Sequence, residues 1–178
     1  MEILNHGMVD AMTLIGERFS RGEAFVPEML ISARTMKKGV EVLKPHLAKD
    51  ATTSFGTAVI GTVQGDMHDI GKNLVAMMIE SAGFEVVDLE VDVPLERFVE
   101  AIQTHPNVRI VALSTLLTTT MPAMKHIVAG LNELENRSAF RVMVGGAPIT
   151  EEFARSIGAD GYSPDAAAAA ALAKSLAG

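Results

Sequence analysis

The chain has 178 residues, room for one domain and a small appendage on a scale of about 100–200 residues per domain. Its residues are 48% hydrophobic and 21% charged, a globular balance that excludes a disordered chain. A formal net charge of −7 argues against sequence-independent nucleic-acid binding, and the absence of Cys excludes disulfides, thiol catalysis and Cys-ligated zinc or iron–sulfur centres.

No apolar run approaches the roughly 20 residues that span a bilayer, so no membrane segment is expected. The opening MEILNHGMVDAM lacks the pattern of a secretory signal, and a cytoplasmic protein is the expectation. Eleven Met, no Trp and one Tyr point to an adaptable, Met-filled interior.

From Ile3 to Leu47 the apolar residues recur at helical spacing. Ile3, Leu4, Met8, Ala11, Leu14, Ile15 and Phe19 form one stripe; Met29, Leu30, Ala33, Met36, Val40, Leu43 and Leu47 form another. Arg21-Gly22-Glu23 and Pro27 punctuate them, with Gly as a helix stop and Pro as a helix start. The pattern predicts a helical hairpin over residues 1–48. A lone hairpin buries too little surface to be stable, so its stripes need cover from the rest of the chain, a ligand or a second copy. The small polar stretch AKDATTSF predicts a linker over 49–55, and residues 56–178 form the second unit.

In that unit the pattern alternates. Thr57–Val63, Glu85–Leu89, Arg109–Leu113, Arg141–Val144 and, more weakly, Asp160–Ser163 read as strands. Gly71–Ala82, Leu95–Gln103, Met121–Leu134, Glu151–Ile157 and the Ala-rich Ala166–Ala177 read as helices. Near-continuous apolar strands between helices predict a five-stranded parallel sheet covered on both faces. Right-handed crossovers then favour a flavodoxin-like, Rossmann-like order of 2-1-3-4-5.

In such a sheet ligands bind beyond the carboxyl ends of the strands, at the switch point between the first and third. The loops there read Gln64-Gly65-Asp66-Met67-His68-Asp69-Ile70-Gly71, Ser114-Thr115-Leu116-Leu117-Thr118-Thr119-Thr120 and Gly145-Gly146-Ala147-Pro148. A His two residues after an Asp can bond it through one ring nitrogen and leave the other for a metal or a proton. Read as residues alone, His68 is either such a ligand or an ordinary polar loop residue. The threonines serve a ligand or cap the following helix, and Gly145-Gly146 is a ligand slot or a tight turn.

Other uses of this fold fit less well. A phosphoacceptor domain would want an Asp after the third strand and a Lys after the fifth, where Ser114 and Ser163-Pro164 stand. A flavin mononucleotide site would want hydroxyls where Asp66 and Asp69 stand, and no G-x-G-x-x-G fingerprint follows Gly61. His6, His46, His105 and His126 are too scattered for zinc. A metal arriving already caged, and needing a single protein ligand, fits better.

Asp66-x-His68-x-x-Gly71, then Ser114-x-Leu116, then Gly145-Gly146 resemble the signature of the cobalamin-binding domain. Gly61–Pro94 resembles the same segment of cobalamin-dependent methionine synthase and of corrinoid methyl-carrier proteins. LSTLLTTTMPAM and VMVGGAPITEEFARSIGADGYSPDA are most similar to the carriers of methanol-, methylamine- and methoxyarene-type methyltransferase systems. The leading hairpin, with Gly22-Glu23-Ala24-Phe25-Val26-Pro27, resembles the helical cap that precedes the domain in that family. The family's cap usually has four helices where this chain shows two before the linker, so either the chain begins inside the usual cap or another protomer completes it.

The resemblance implies a cobalamin cofactor cycling between methylcob(III)alamin and cob(I)alamin, bound with its own base displaced. His68 would be the lower axial cobalt ligand, Asp66 its hydrogen-bond partner and Thr120 the hydroxyl completing the relay. Ser114 and Leu116 would line the benzimidazole slot, Thr118 and Gly145-Gly146 the nucleotide tail, and Tyr162, Ser163 and Asp165 the far rim. Gly65, Met67, Asp69, Ile70 and Gly71 would lie against the corrin. His68 would leave cobalt on reduction and return on methylation. The implied partners are a substrate-specific methyltransferase, a second methyltransferase serving an acceptor such as tetrahydrofolate or coenzyme M, and a reductive activation protein. A homodimer through the hairpin is also expected.

Two alternatives belong to other classes. A cobalamin-dependent sensor would carry a DNA-binding module and a Trp-bearing cap motif, and this chain shows neither. The small subunit of an adenosylcobalamin mutase would begin near the first strand, without the preceding hairpin.

Overall fold

The computed structural model describes residues 3–43 and 55–178. A π-helical stretch, Ile3–Val9, leads into α1 (Asp10–Ser20), and α2 (Val26–Leu43) returns antiparallel to it with Pro27 in its first turn. Then come β1 (Thr57–Thr62), α3 (Ile70–Ser81), β2 (Glu85–Asp88), α4 (Leu95–Thr104) and β3 (Val108–Ser114). A single 3-10 turn (Thr118–Thr120) precedes α5 (Met121–Asn132), followed by β4 (Arg141–Gly145), α6 (Glu151–Ser156), β5 (Gly161–Ser163) and α7 (Ala166–Ala177). The expected linker lies outside the described residues apart from Phe55, as does Leu47 of the second helical stripe.

All strand pairings are parallel and the order is β2-β1-β3-β4-β5, the expected one. Every residue of β1 is buried, which is why the strand reads as an unbroken apolar run. Its side chains alternate between two cores. Ala58 and Ile60, with Ile110, Ala112 and Met143, meet α3 and α7. Val59, with Val111, Leu113, Val142 and Val144, meets α4, α5 and α6. Gly61 is a glycine for a packing reason: a Cβ there would lie 2.9 Å from the Phe98 ring, which is fully buried.

The hairpin forms a third layer outside α3 and α7. Met12, Met29, Ala33 and Met36 join the same buried cluster as Met78, Ile79, Ala169 and Ala173. Small residues permit this stacking. Ala166, Ala169, Ala170 and Ala173 are the buried face of α7, and a Cβ on Gly16 would already lie 3.3 Å from Ala167. The Ala-rich tail is therefore a covering helix, as its composition predicts. The hairpin's cover comes from the rest of the chain. Among the described residues, no helix is long and apolar enough to cross a membrane.

Most element ends differ from the sequence pattern by a residue or two, and two of the differences have a clear physical reason. Val63 leaves β1 and makes only an isolated bridge to Val93, because the chain turns at once into the loop carrying Asp66. The start of the first helix is wound as a π-helix around Gly7, a poor α-helix former.

Candidate functional site

β1 sends its crossover to the α3 face and β3 sends its own to the α5 face, so the loops after β1 and β3 diverge and leave a crevice at the carboxyl edge. The first loop turns at Gly65, whose φ of +86° an L side chain rarely adopts. The turn is pinned from below, where the Thr62 hydroxyl donates to His68 O at 2.9 Å.

Asp66 is wholly buried and its carboxylate collects donors from both loops. Oδ1 accepts from the His68 amide at 3.0 Å and from His68 Nδ1 at 2.7 Å. Oδ2 accepts from the Leu116 amide at 2.7 Å, the Leu117 amide at 3.3 Å and the Thr115 hydroxyl at 2.9 Å. Burial pushes the Asp66 carboxyl up, but the bonds from Leu116, His68 and Thr115 outweigh it and hold the group well below the usual carboxylate range. Asp66 is thus a carboxylate and can only accept, so Nδ1 of His68 carries a proton. In the neutral imidazole that leaves Nε2 as a bare lone pair, and the His68 side chain is 52% exposed.

Around it stands an apolar rim. Met67 is 69% exposed, Ile70 83%, Leu116 46% and Leu117 37%, and a Cβ on Gly71 would meet nothing within 4 Å. A water-facing loop gains nothing from large apolar side chains, so this rim suits a broad planar ligand laid across it. Among the described residues no three His, Cys, Asp or Glu cluster as a metal-binding group. A metal at His68 would need its other ligands brought in, as a corrin brings them. The donor set and the rim fit cobalamin.

Thr120 meets Asp66 as well, its hydroxyl 3.3 Å from Oδ2. It stands at the N-cap of α5 but makes no side-chain cap bond, because the hydroxyl is turned into this cluster. Ser114 ends β3 half-buried, its carbonyl accepting from Val63 N–H at 3.0 Å, while Thr118 is exposed at the start of the 3-10 turn. Gly146 has φ +127°, and a Cβ there would overlap the Thr115 carbonyl at 1.8 Å. A Cβ on Gly145 would lie 3.2 Å from Ser163 O. Tyr162 packs on the sheet core, Ser163 is buried, and Asp165 caps α7 by accepting from Ala168 N–H at 2.8 Å. Asp69 is exposed and accepts from Asn73 Nδ2 at 3.1 Å.

The structure therefore gathers Asp66, His68, Thr120 and Leu116 at one point, and ranges Tyr162, Ser163 and Asp165 along the β5 end. Thr115, the hydroxyl closest to Asp66, has no part in the site that the sequence pattern predicts. Its only signal was its place in the hydroxyl run directly after β3. Asp92 was also missed. A cleft of about 220 Å³ bounded by Ile102, His105, Arg109 and Phe140 sits at the opposite, amino edge of the sheet and touches none of these residues.

Comparison with known proteins agrees with this geometry. The B12 binding domain family matches residues 56–171, and a second family of that description matches residues 1–44. Dimethylamine corrinoid protein 2 of Methanosarcina mazei is 43% identical over 98% of this chain and 82% of its own length. A cobalamin-binding protein from Desulfitobacterium hafniense superposes with a TM-score of 0.83 at 35% identity, over 96% of this chain and 80% of that one. A chain of the methanol:cobalamin methyltransferase complex MtaBC from Methanosarcina barkeri gives a TM-score of 0.80 at 28% identity, over 99% of this chain and 67% of that one. The chain belongs to the B12 binding domain family as a corrinoid methyl-carrier protein of methyltransferase systems, with cobalamin as its cofactor.

Proposed function

We propose that this carrier binds cobalamin with the cofactor's own base displaced and His68 beneath the cobalt, and shuttles a methyl group between two methyltransferases. The carrying observation is the 2.7 Å bond from His68 Nδ1 to the buried Asp66, in a ring that stays half-exposed within an apolar rim. When bound, cobalamin supplies the cobalt centre that takes up and gives away the methyl group. Asp66 fixes the tautomer and aim of His68, and its negative charge makes the imidazole a better donor to a cation. Met67, Ile70 and Leu116, with Gly65, Asp69 and Gly71, would bear the ring and keep water from the lower face. Ser114 and Leu116 would line the slot for the displaced base, Thr118, Gly145 and Gly146 its tail, and Tyr162, Ser163 and Asp165 the far rim.

Under this reading one partner is a substrate-specific methyltransferase. An amine-type donor is favoured by the dimethylamine corrinoid relative. The second partner serves tetrahydrofolate or a thiol such as coenzyme M, and a reductive activation protein restores the carrier after oxidation. Residues 1–48 act as a helical cap segment joined by 49–55 to the cobalamin unit, 56–178. The outer face of that segment leaves Leu14 49%, Phe25 65% and Ile31 67% exposed, which favours pairing of two hairpins in a cytoplasmic homodimer. To test the shuttle, the cobalamin-loaded chain is reduced and mixed with a candidate amine methyltransferase and its substrate. Methylation of the carrier, seen as a change in the corrinoid absorption spectrum and reversed by an acceptor enzyme, is expected. A loaded, reduced carrier that no such pair methylates or demethylates would contradict it.

A further inference from the structure

Two threonine hydroxyls crowd one oxygen of Asp66, and they are not equivalent. Thr115 Oγ1 lies 2.9 Å from Oδ2, Thr120 Oγ1 lies 3.3 Å from it, and the two hydroxyls are 2.5 Å apart. Each has a single proton to give. If Thr115 donated to Thr120, the carboxylate would lose its nearer hydroxyl and depend on the longer contact. A Thr120 proton sent to Leu117 O, 3.0 Å away, would leave two hydroxyl oxygens 2.5 Å apart with no proton between them, whereas Thr120 donating to Thr115 and Thr115 to Asp66 uses both short contacts and gives the charged acceptor the stronger bond. Burial excludes bulk water as a substitute, since Asp66 is 0%, Thr115 1% and Thr120 7% exposed.

We propose that Thr115 is the positioning residue that locks the Asp66 carboxylate for His68, and that Thr120 acts on Asp66 only through Thr115. The proposal deepens the reading of His68 as the cobalt ligand and rests on it for its role in the working protein. The order of the chain is Thr120 to Thr115 to Asp66, with His68 donating to the far oxygen. Gly146 is built into the same device. Thr115 N–H donates to Gly145 O at 3.2 Å, and the missing Cβ of Gly146 is what lets the Thr115 carbonyl sit where it does. The glycine pair thus seats the relay hydroxyl as well as bordering the crevice.

The test uses the full chain freed of cobalamin and labelled with nitrogen-15 in its histidines. Long-range proton–nitrogen NMR then reads which nitrogen of His68 bears the proton. Wild type is expected to be mostly the Nδ1–H tautomer. Thr115→Val frees the carboxylate to turn away from Nδ1 and should lower the Nδ1–H to Nε2–H ratio by about three- to tenfold, up to the worth of the one net bond between Nδ1–H and Oδ1. Thr120→Val should lower it less, and should change nothing further when added to Thr115→Val. Thr115→Ser should restore the wild-type ratio. Equal and additive effects of the two Val variants, or an unchanged ratio in Thr115→Val, would overturn the proposal. Should Thr115→Val not fold, Thr115→Ala makes the same deletion; failing both, a full tenfold drop in Thr120→Val alone would put Thr120 directly on Asp66. A chain whose His68 never ligates cobalt would still give these ratios, so failure of the ligand assignment is separately visible in the cobalt spectrum.

Discussion

Asp92 fastens the loop after β2 to the loop after β1. Its carboxylate accepts from Gly65 N–H at 2.7 Å, and its own amide donates to Asp66 O at 3.0 Å. Asp92 itself sits at φ +55°, in the left-handed region that Asp and Asn tolerate better than most residues. Asp92→Ala loses the clamp and keeps the strained backbone, and should cost about 1–2 kcal/mol in urea unfolding. Asp92→Asn keeps an acceptor oxygen and should stay near wild type. Faster amide exchange at Gly65 and Asp66 in the Ala variant checks that the lost contact is the clamp.

A second clasp holds the same region from behind. Lys72 is 2% exposed, and its ammonium reaches both Asp88 oxygens, at 2.6 and 2.5 Å, and Asn73 Oδ1 at 2.6 Å. Asp88 in turn accepts from Glu90 N–H at 2.8 Å, which steadies another left-handed residue, at φ +71°. Lys72→Met removes the buried cation, and Asp88, which is 36% exposed, can be rehydrated. The expected loss is therefore about 1–2 kcal/mol by chemical denaturation, below the cost of stranding a fully buried partner.

Asp66 gives a stability term with a definite sign. Its folded carboxyl is held below the unfolded one, so its contribution is fully present above about pH 4 and is lost as pH falls through the folded value. Asp66→Asn keeps an acceptor but turns an amide toward donors, and should cost about 2–4 kcal/mol at pH 7. The gap between wild type and variant should shrink on acidification. Unfolding curves at pH 7 and at pH 3 check both the size and the sign.

The docking of the hairpin is equally testable. Met29 is fully buried between α2 and the α3–α7 layer, so Met29→Ala should cost about 2–4 kcal/mol. Arg34 on the same helix is exposed, and Arg34→Ala should cost less than about 0.5 kcal/mol. Similar losses at both positions in thermal or urea unfolding would mean that the hairpin does not use this face.

How far the sequence could be read follows from which contacts are local. The runs around Val59, Val111 and Val142 are buried on both faces, so their composition alone announces parallel strands, and handedness then orders them. Asp66 and His68 are two residues apart, and their bond is legible from spacing. Thr115 meets Asp66 across 49 residues of sequence, and the Lys72–Asp88 and Asp92–Gly65 contacts span 16 and 27. Such pairs depend on how two loops lie side by side, which periodicity does not encode. The turn of the Thr120 hydroxyl away from the helix cap has the same cause, because the competing acceptors lie in another loop or are set by its fold.

Ligation of cobalt by His68 leaves its mark on the metal's unpaired electron. The most direct measurement is the electron-spin spectrum of the cobalt(II) form of the loaded chain, with natural-abundance and nitrogen-15 histidine. With His68 on cobalt, superhyperfine splitting from one nitrogen is expected; it changes with the isotope and vanishes in His68→Ala, which should still bind cobalamin weakly. Splitting that ignores the histidine label, or that persists unchanged in His68→Ala, would contradict it.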